Sequence, residues 1–76
     1  MNRQRAVEAA ARSAVNELAS EAAILRRWAI ESEAGGWSTH QVDAMRRRAD
    51  ELDTKVFFLR RTLDAAGVRD PNAGVF

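Results

Sequence analysis

The chain is expected to be all-α: an antiparallel hairpin of two long helices that pairs with a second copy into a four-helix bundle. Three observations predict this. Apolar residues recur at helical spacing along most of the chain. A single cluster of turn residues, Gly35-Gly36-Trp37-Ser38, divides them. Large apolar side chains are also few: 46% of the 76 residues are apolar, but alanine accounts for 15 of them. A core this thin needs a staple, a metal or a partner chain. There is no cysteine, so disulfides and thiolate zinc sites are excluded, and a partner chain becomes the expectation.

The first helix is expected over residues 2–34. Its apolar stripe runs through Val7, Ala11, Ala14, Leu18, Ala22, Leu25 and Ala29, widened by Val15, Ile24 and Trp28. A stripe this wide belongs to a helix touching more than one neighbour. Residues 35–38 form the turn. Gly35 is expected to take the left-handed conformation that ends a helix. Ser38 is read as the next N-cap, with Gln41 completing a capping box and Trp37 stapled to Val42.

The second helix is expected over residues 39–66. Val42, Met45, Ala49, Leu52, Val56, Leu59, Leu63 and Ala66 alternate in steps of three and four, the 3.5-residue period of a coiled-coil seam. With Leu18, Leu25 and Trp28 from the first helix, these residues are the expected core and dimer seam. Gly67 then ends the helix, with Val68 folding back onto Leu63 in a Schellman ending. The hairpin is thus placed in residues 1–68 and a C-terminal tail in residues 69–76. Helices joined by a short turn are antiparallel neighbours. Folding at the glycines predicts that facing residues have numbers summing to about 72. It also predicts that Trp28, Trp37, Ile24, Ile30 and Met45 close the turn end as a small apolar cluster.

The composition narrows function further. Twelve basic residues balance eleven acidic ones, giving a net charge of +1, so no polyanion partner is advertised. Arg46-Arg47-Arg48 spreads around the helix and lies among Asp43, Asp50, Glu51 and Asp53 at ion-pairing distances in sequence, as a solvated face would. No apolar run is long enough for a signal peptide or membrane span, so a cytoplasmic protein is expected. Eleven arginines to one lysine is the usage of a GC-rich genome, and a phage or mobile-element origin fits it. His40 is the lone imidazole, and no hydroxyl residue has an activating base at a suggestive spacing. No enzyme, metal, cofactor or small-molecule substrate is therefore expected.

What remains is a protein–protein interaction module, a small structural or regulatory accessory factor acting as a homodimer. Phe57 and Phe58 fall beside the seam rather than on it. With Arg60 and Arg61 they form the expected partner surface. The alternative is a small nucleic-acid-binding regulator, whose contacts would be Arg3, Arg5, Arg60 and Arg61, gathered at one end of the hairpin. A tryptophan at the bend resembles the small secreted helical hairpins with a Trp-x-Gly turn. Trp37-Ser38-Thr39 lacks that glycine, however, and the chain has no tyrosine for the family's C-terminal export signal. The chain is not assigned to that family.

Overall fold

The computed structural model describes residues 3–67. Helix α1 spans Arg3–Ala34 and helix α2 spans Thr39–Ala65, and they pack against each other as a hairpin. The expected Schellman contact of Val68 with Leu63 and the tail at 69–76 lie outside the described residues.

Local chemistry sets the turn. Gly35 N–H still donates a helical bond to Glu31 O at 2.9 Å. Trp37 N–H donates to Ser32 O at 2.9 Å and Gly36 N–H to Glu33 O at 3.2 Å, which together make the Schellman pattern. The left-handed residue is therefore Gly36, with φ 83°, and not Gly35 as expected. Helix α1 itself ends at Ala34. Ser38 caps α2: its Oγ accepts from Gln41 N–H at 3.2 Å, and its own N–H donates to Gln41 Oε1 at 3.3 Å. This reciprocal pair satisfies two donors that a helix start leaves open. At the other end Gly67, with φ 76°, donates to Asp64 O at 3.0 Å behind the C-cap Ala66.

The helices meet through small side chains. Val15, Ala22 and Ala29 recur every seven residues on α1 and are buried, as are Val42, Ala49 and Val56 on α2. Leu52 is the one large side chain among the described residues that is fully buried. It packs with Ala22 and Ala49, and Leu18 and Leu25 lie half-buried against this centre. Alanines facing each other let two helix axes come close, because the side chains at the contact set the interaxial distance.

Two expectations are corrected here. Facing residues sum to 76 (Arg12 with Asp64, Arg26 with Asp50, Asn16 with Arg60) or to 79 (Glu33 with Arg46, Arg26 with Asp53). The sum is not 72, because the chain reverses at Trp37-Ser38 rather than at the glycines. Helix α1 is also rotated. The expected stripe centred on Leu18 and Leu25, whereas the contact centres on Val15, Ala22 and Ala29, leaving Val7 and Ala14 exposed. The seam on α2 runs as expected from Val42 through Met45, Ala49 and Leu52 to Val56, and Leu63 is half-buried. Leu59 breaks it at 41% exposure, and Trp28 of α1 is 51% exposed.

Substituting Leu52→Asp is expected to abolish the helical circular-dichroism signal at 25 °C. A buried carboxylate without a partner costs several kcal/mol, on the order of the whole stability of a small domain. Gly36→Ala is expected to cost about 1–2 kcal/mol for the left-handed backbone. Gly35→Ala meets Glu31 O at an ordinary 3.4 Å and is expected to cost less. Urea-unfolding midpoints of the two variants check the difference.

Candidate functional site

The seven-residue repeat gives the hairpin two unlike edges. On one edge, Arg12, Ala19, Arg26 and Glu33 of α1 lie beside Arg46, Asp50, Asp53, Arg60 and Asp64 of α2. Ion pairs cross this edge along its length. Arg12 pairs with Asp64, and Arg46 with Glu33. Arg26 reaches both Asp50 at 2.7 Å and Asp53 at 2.5 Å. Hydrogen bonds to Asp50 and then Asp53 raise the Arg26 pKa further above its already high ordinary value, because both favour the charged guanidinium. Arg60 donates to Asn16 at 3.5 Å.

Arg12 is the unexpected member. It is buried, while its partner Asp64 stays exposed. Its aliphatic stem covers the close helix contact, and the guanidinium reaches the edge. Ser32 is the other buried polar residue; its hydroxyl lies 3.9 Å from Met45 Sδ. Gln4 and Glu21 of the same helix are exposed. The signal that could have found Arg12 and Arg26 is the heptad itself, since both sit four residues after a position of the Glu8–Val15–Ala22–Ala29 series.

The charge run is engaged differently from the expected i,i+4 pattern. Asp50 turns to Arg26 across the hairpin instead of to Arg46. Arg46 bridges to Glu33 and lies 3.8 Å from Asp43, and Arg48 lies 3.4 Å from Glu51. Arg47 and Lys55 form no ion pair among the described residues.

The residues expected to meet a partner, Phe57, Phe58, Arg60 and Arg61, are exposed on α2. Phe57 and Phe58 are 55% and 61% exposed and meet edge to face, with ring centroids 5.5 Å apart. The Arg61 guanidinium lies over the Phe57 ring at 5.7 Å, a cation–π distance. Phe57 lines an open groove of about 440 Å³ with Ala19, Val56, Asp53, Arg60, Arg61 and Asp64. Its apolar floor is ringed by two arginines and two carboxylates.

The opposite edge carries no cross-helix ion pair among the described residues. It presents Val7, Ala14, Leu18, Leu25 and Trp28 of α1 and Leu59 of α2. Val7, Trp28 and Leu59 are 65%, 51% and 41% exposed. The expected apolar cluster at the turn is not closed. Ile24, Ile30, Trp28 and Trp37 are all exposed and only Met45 is half-buried; rotation of α1 aims Ile24, Trp28 and Ile30 away from α2.

Of the residues named for nucleic-acid contact, Arg60 and Arg61 are held by Asn16 and Phe57. Arg3 and Arg5 are exposed on the first turns of α1, at the same end of the hairpin. His40 is exposed, and no group of three or more potential metal ligands occurs among the described residues. No described helix is long and apolar enough to cross a membrane. Compared with protein-family models, curated proteins and solved structures, the chain matches none.

Arg12→Ala is expected to lower stability by about 1–3 kcal/mol, since it removes buried stem packing together with a charge-assisted hydrogen bond. Lys55→Ala, at an exposed position without an ion pair, is expected to stay within about 0.5 kcal/mol of the parent hairpin's stability. Urea titration of both variants in a background where association is blocked checks the contrast.

Proposed function

We propose that the protein is a homodimeric helical-bundle module for protein–protein interaction, a structural or regulatory accessory factor. The observation that carries this reading is the uncovered apolar edge of the hairpin. Val7, Trp28 and Leu59 remain exposed, whereas Leu52 is the one large side chain fully buried among the described residues. Contiguous apolar surface of this kind marks an interface. A second hairpin placed on it completes a four-helix bundle. The Phe57–Phe58 pair with Arg60 and Arg61 points outward from such a bundle and is the surface offered to a different protein. Function is the display of a rigid helical face, with aromatic anchors and flanking arginines, the residue types that dominate binding hot spots.

Light scattering on the purified chain is expected to report twice the 8.5 kDa monomer mass at micromolar concentration; a stable monomer at high micromolar concentration would refute the reading. Leu59→Asp is expected to dissociate the dimer and leave helical content largely intact, since Leu59 lies outside the contact within one hairpin. Phe57→Ser is expected to change neither mass nor helicity and to weaken capture of a partner protein. Binding to duplex DNA or RNA that weakens steeply with salt would instead favour the nucleic-acid regulator.

A further inference from the structure

The open edge is flanked by charges of opposite sign on its two sides. On α1 the central and turn-side charges bordering it are acidic, Glu17, Glu21 and Glu31, with Arg3 at the far end of the row. On α2 they are Arg48 and Lys55, with Glu51 beside Arg48. Glu17, Glu21, Glu31 and Lys55 form no side-chain ion pair among the described residues, whereas the other edge is threaded with such pairs.

Two-fold symmetry allows two ways to lay one hairpin on another through this edge. With the axis along the helices, both turns lie at the same end and α1 packs against α2 of the second copy. With the axis across the helices, the turns lie at opposite ends and each helix packs against its own copy. The second arrangement, centred on the apolar stripe near Leu18, brings Glu17 and Glu21 beside the same residues of the other chain. Like charges facing each other across an interface select against that pairing.

We infer that two copies associate through this edge with their turns at the same end, α1 of each against α2 of the other. A rotation about an axis parallel to the helices does not shift residues along them. The contacts between copies therefore follow the register seen within one hairpin, where facing numbers sum to 76. Glu21 meets Lys55 of the second copy, and Trp28 meets Arg48 of the second copy, an aromatic face against a guanidinium. Leu18 and Leu25, half-buried within the hairpin, pack against the exposed Leu59 of the second copy along the centre. The order of charges on the edge thus selects the orientation, and the leucines supply the burial. This inference rests on the dimer proposed above and adds the geometry of its interface.

The absence of cysteine makes a single spin label at His40→Cys, exposed near the turn, unambiguous. Label-to-label distances by pulsed electron spin resonance are expected at roughly 15–30 Å for turns at the same end, against roughly 50 Å for turns at opposite ends. A dimeric mass with the long distance overturns the orientation and leaves the dimer standing; a monomeric mass overturns both. A second measurement separates the arrangements by sign. Glu21→Lys is expected to raise the dimer dissociation constant roughly two- to ten-fold at low salt, with the effect fading at high salt. Tighter dimerisation of that variant would mean that position 21 faces Glu17 of the other copy, and the inference would fail.

Discussion

Close contact of the two helices through alanine is the constraint on which the rest of the structure depends. Ala22, Ala29 and Ala49 are almost wholly buried, with Val15, Val42 and Val56 extending the line at both ends. Small side chains at the contact draw the helix backbones together, which moves any larger residue to the flanks. Leu18 and Leu25 therefore lie beside the seam, half-buried, and only Leu52 reaches its centre. Alanine also contributes little on burial, since stabilisation scales with the apolar area removed from water at about 25 cal/mol per Å². The geometry that fits two helices closely is also the geometry that leaves one hairpin poorly stabilised on its own.

The two edges divide the remaining work. Along one edge the bridges from Arg12, Arg26 and Arg46 to carboxylates on the facing helix hold the register. The exposed pairs, Arg26 with Asp50 and Asp53 and Arg46 with Glu33, contribute about 0–1 kcal/mol each, so their effect lies in which residues can face each other rather than in overall stability. A slip of one turn would leave Arg12, a buried residue, without Asp64 and would carry Arg26 away from Asp50 and Asp53. Along the other edge no such pairs form among the described residues, and Val7, Trp28 and Leu59 lie exposed.

The aromatic pair of α2 adjoins the ion-paired edge, where Phe57 shares a groove with Ala19, Asp53, Arg60 and Asp64. Phe57 and Phe58 meet edge to face, and Arg61 lies over the Phe57 ring, contacts that leave the rings exposed. A preformed aromatic pair loses less side-chain freedom on binding than a mobile one. A bundle of two such hairpins would carry two of these patches, related by symmetry and held apart by the rigid helices.

The amino-acid sequence alone determined the elements and their ends. The 3.5-residue period of α2, the Ser38–Gln41 capping box and the glycines at each helix terminus are local features. Their physical cause lies within a few residues of chain, so they can be read without a partner. The rotation of α1, the register and the exposed edge were decided only by tertiary structure. The apolar stripe of α1 is wide enough to satisfy several rotations equally, and Val15 and Leu18 are equally plausible centres on hydrophobicity alone. The choice turned on alanines matched across the hairpin and on arginines that find carboxylates tens of residues away. The same choice left Leu59 and Trp28 outside the core, although their spacing had placed them within it. Turn chemistry divided in the same way. The helix end was legible at the glycine pair, but whether Gly35 or Gly36 turned left-handed depended on one further hydrogen bond to Glu31, which forms only once the helix is built.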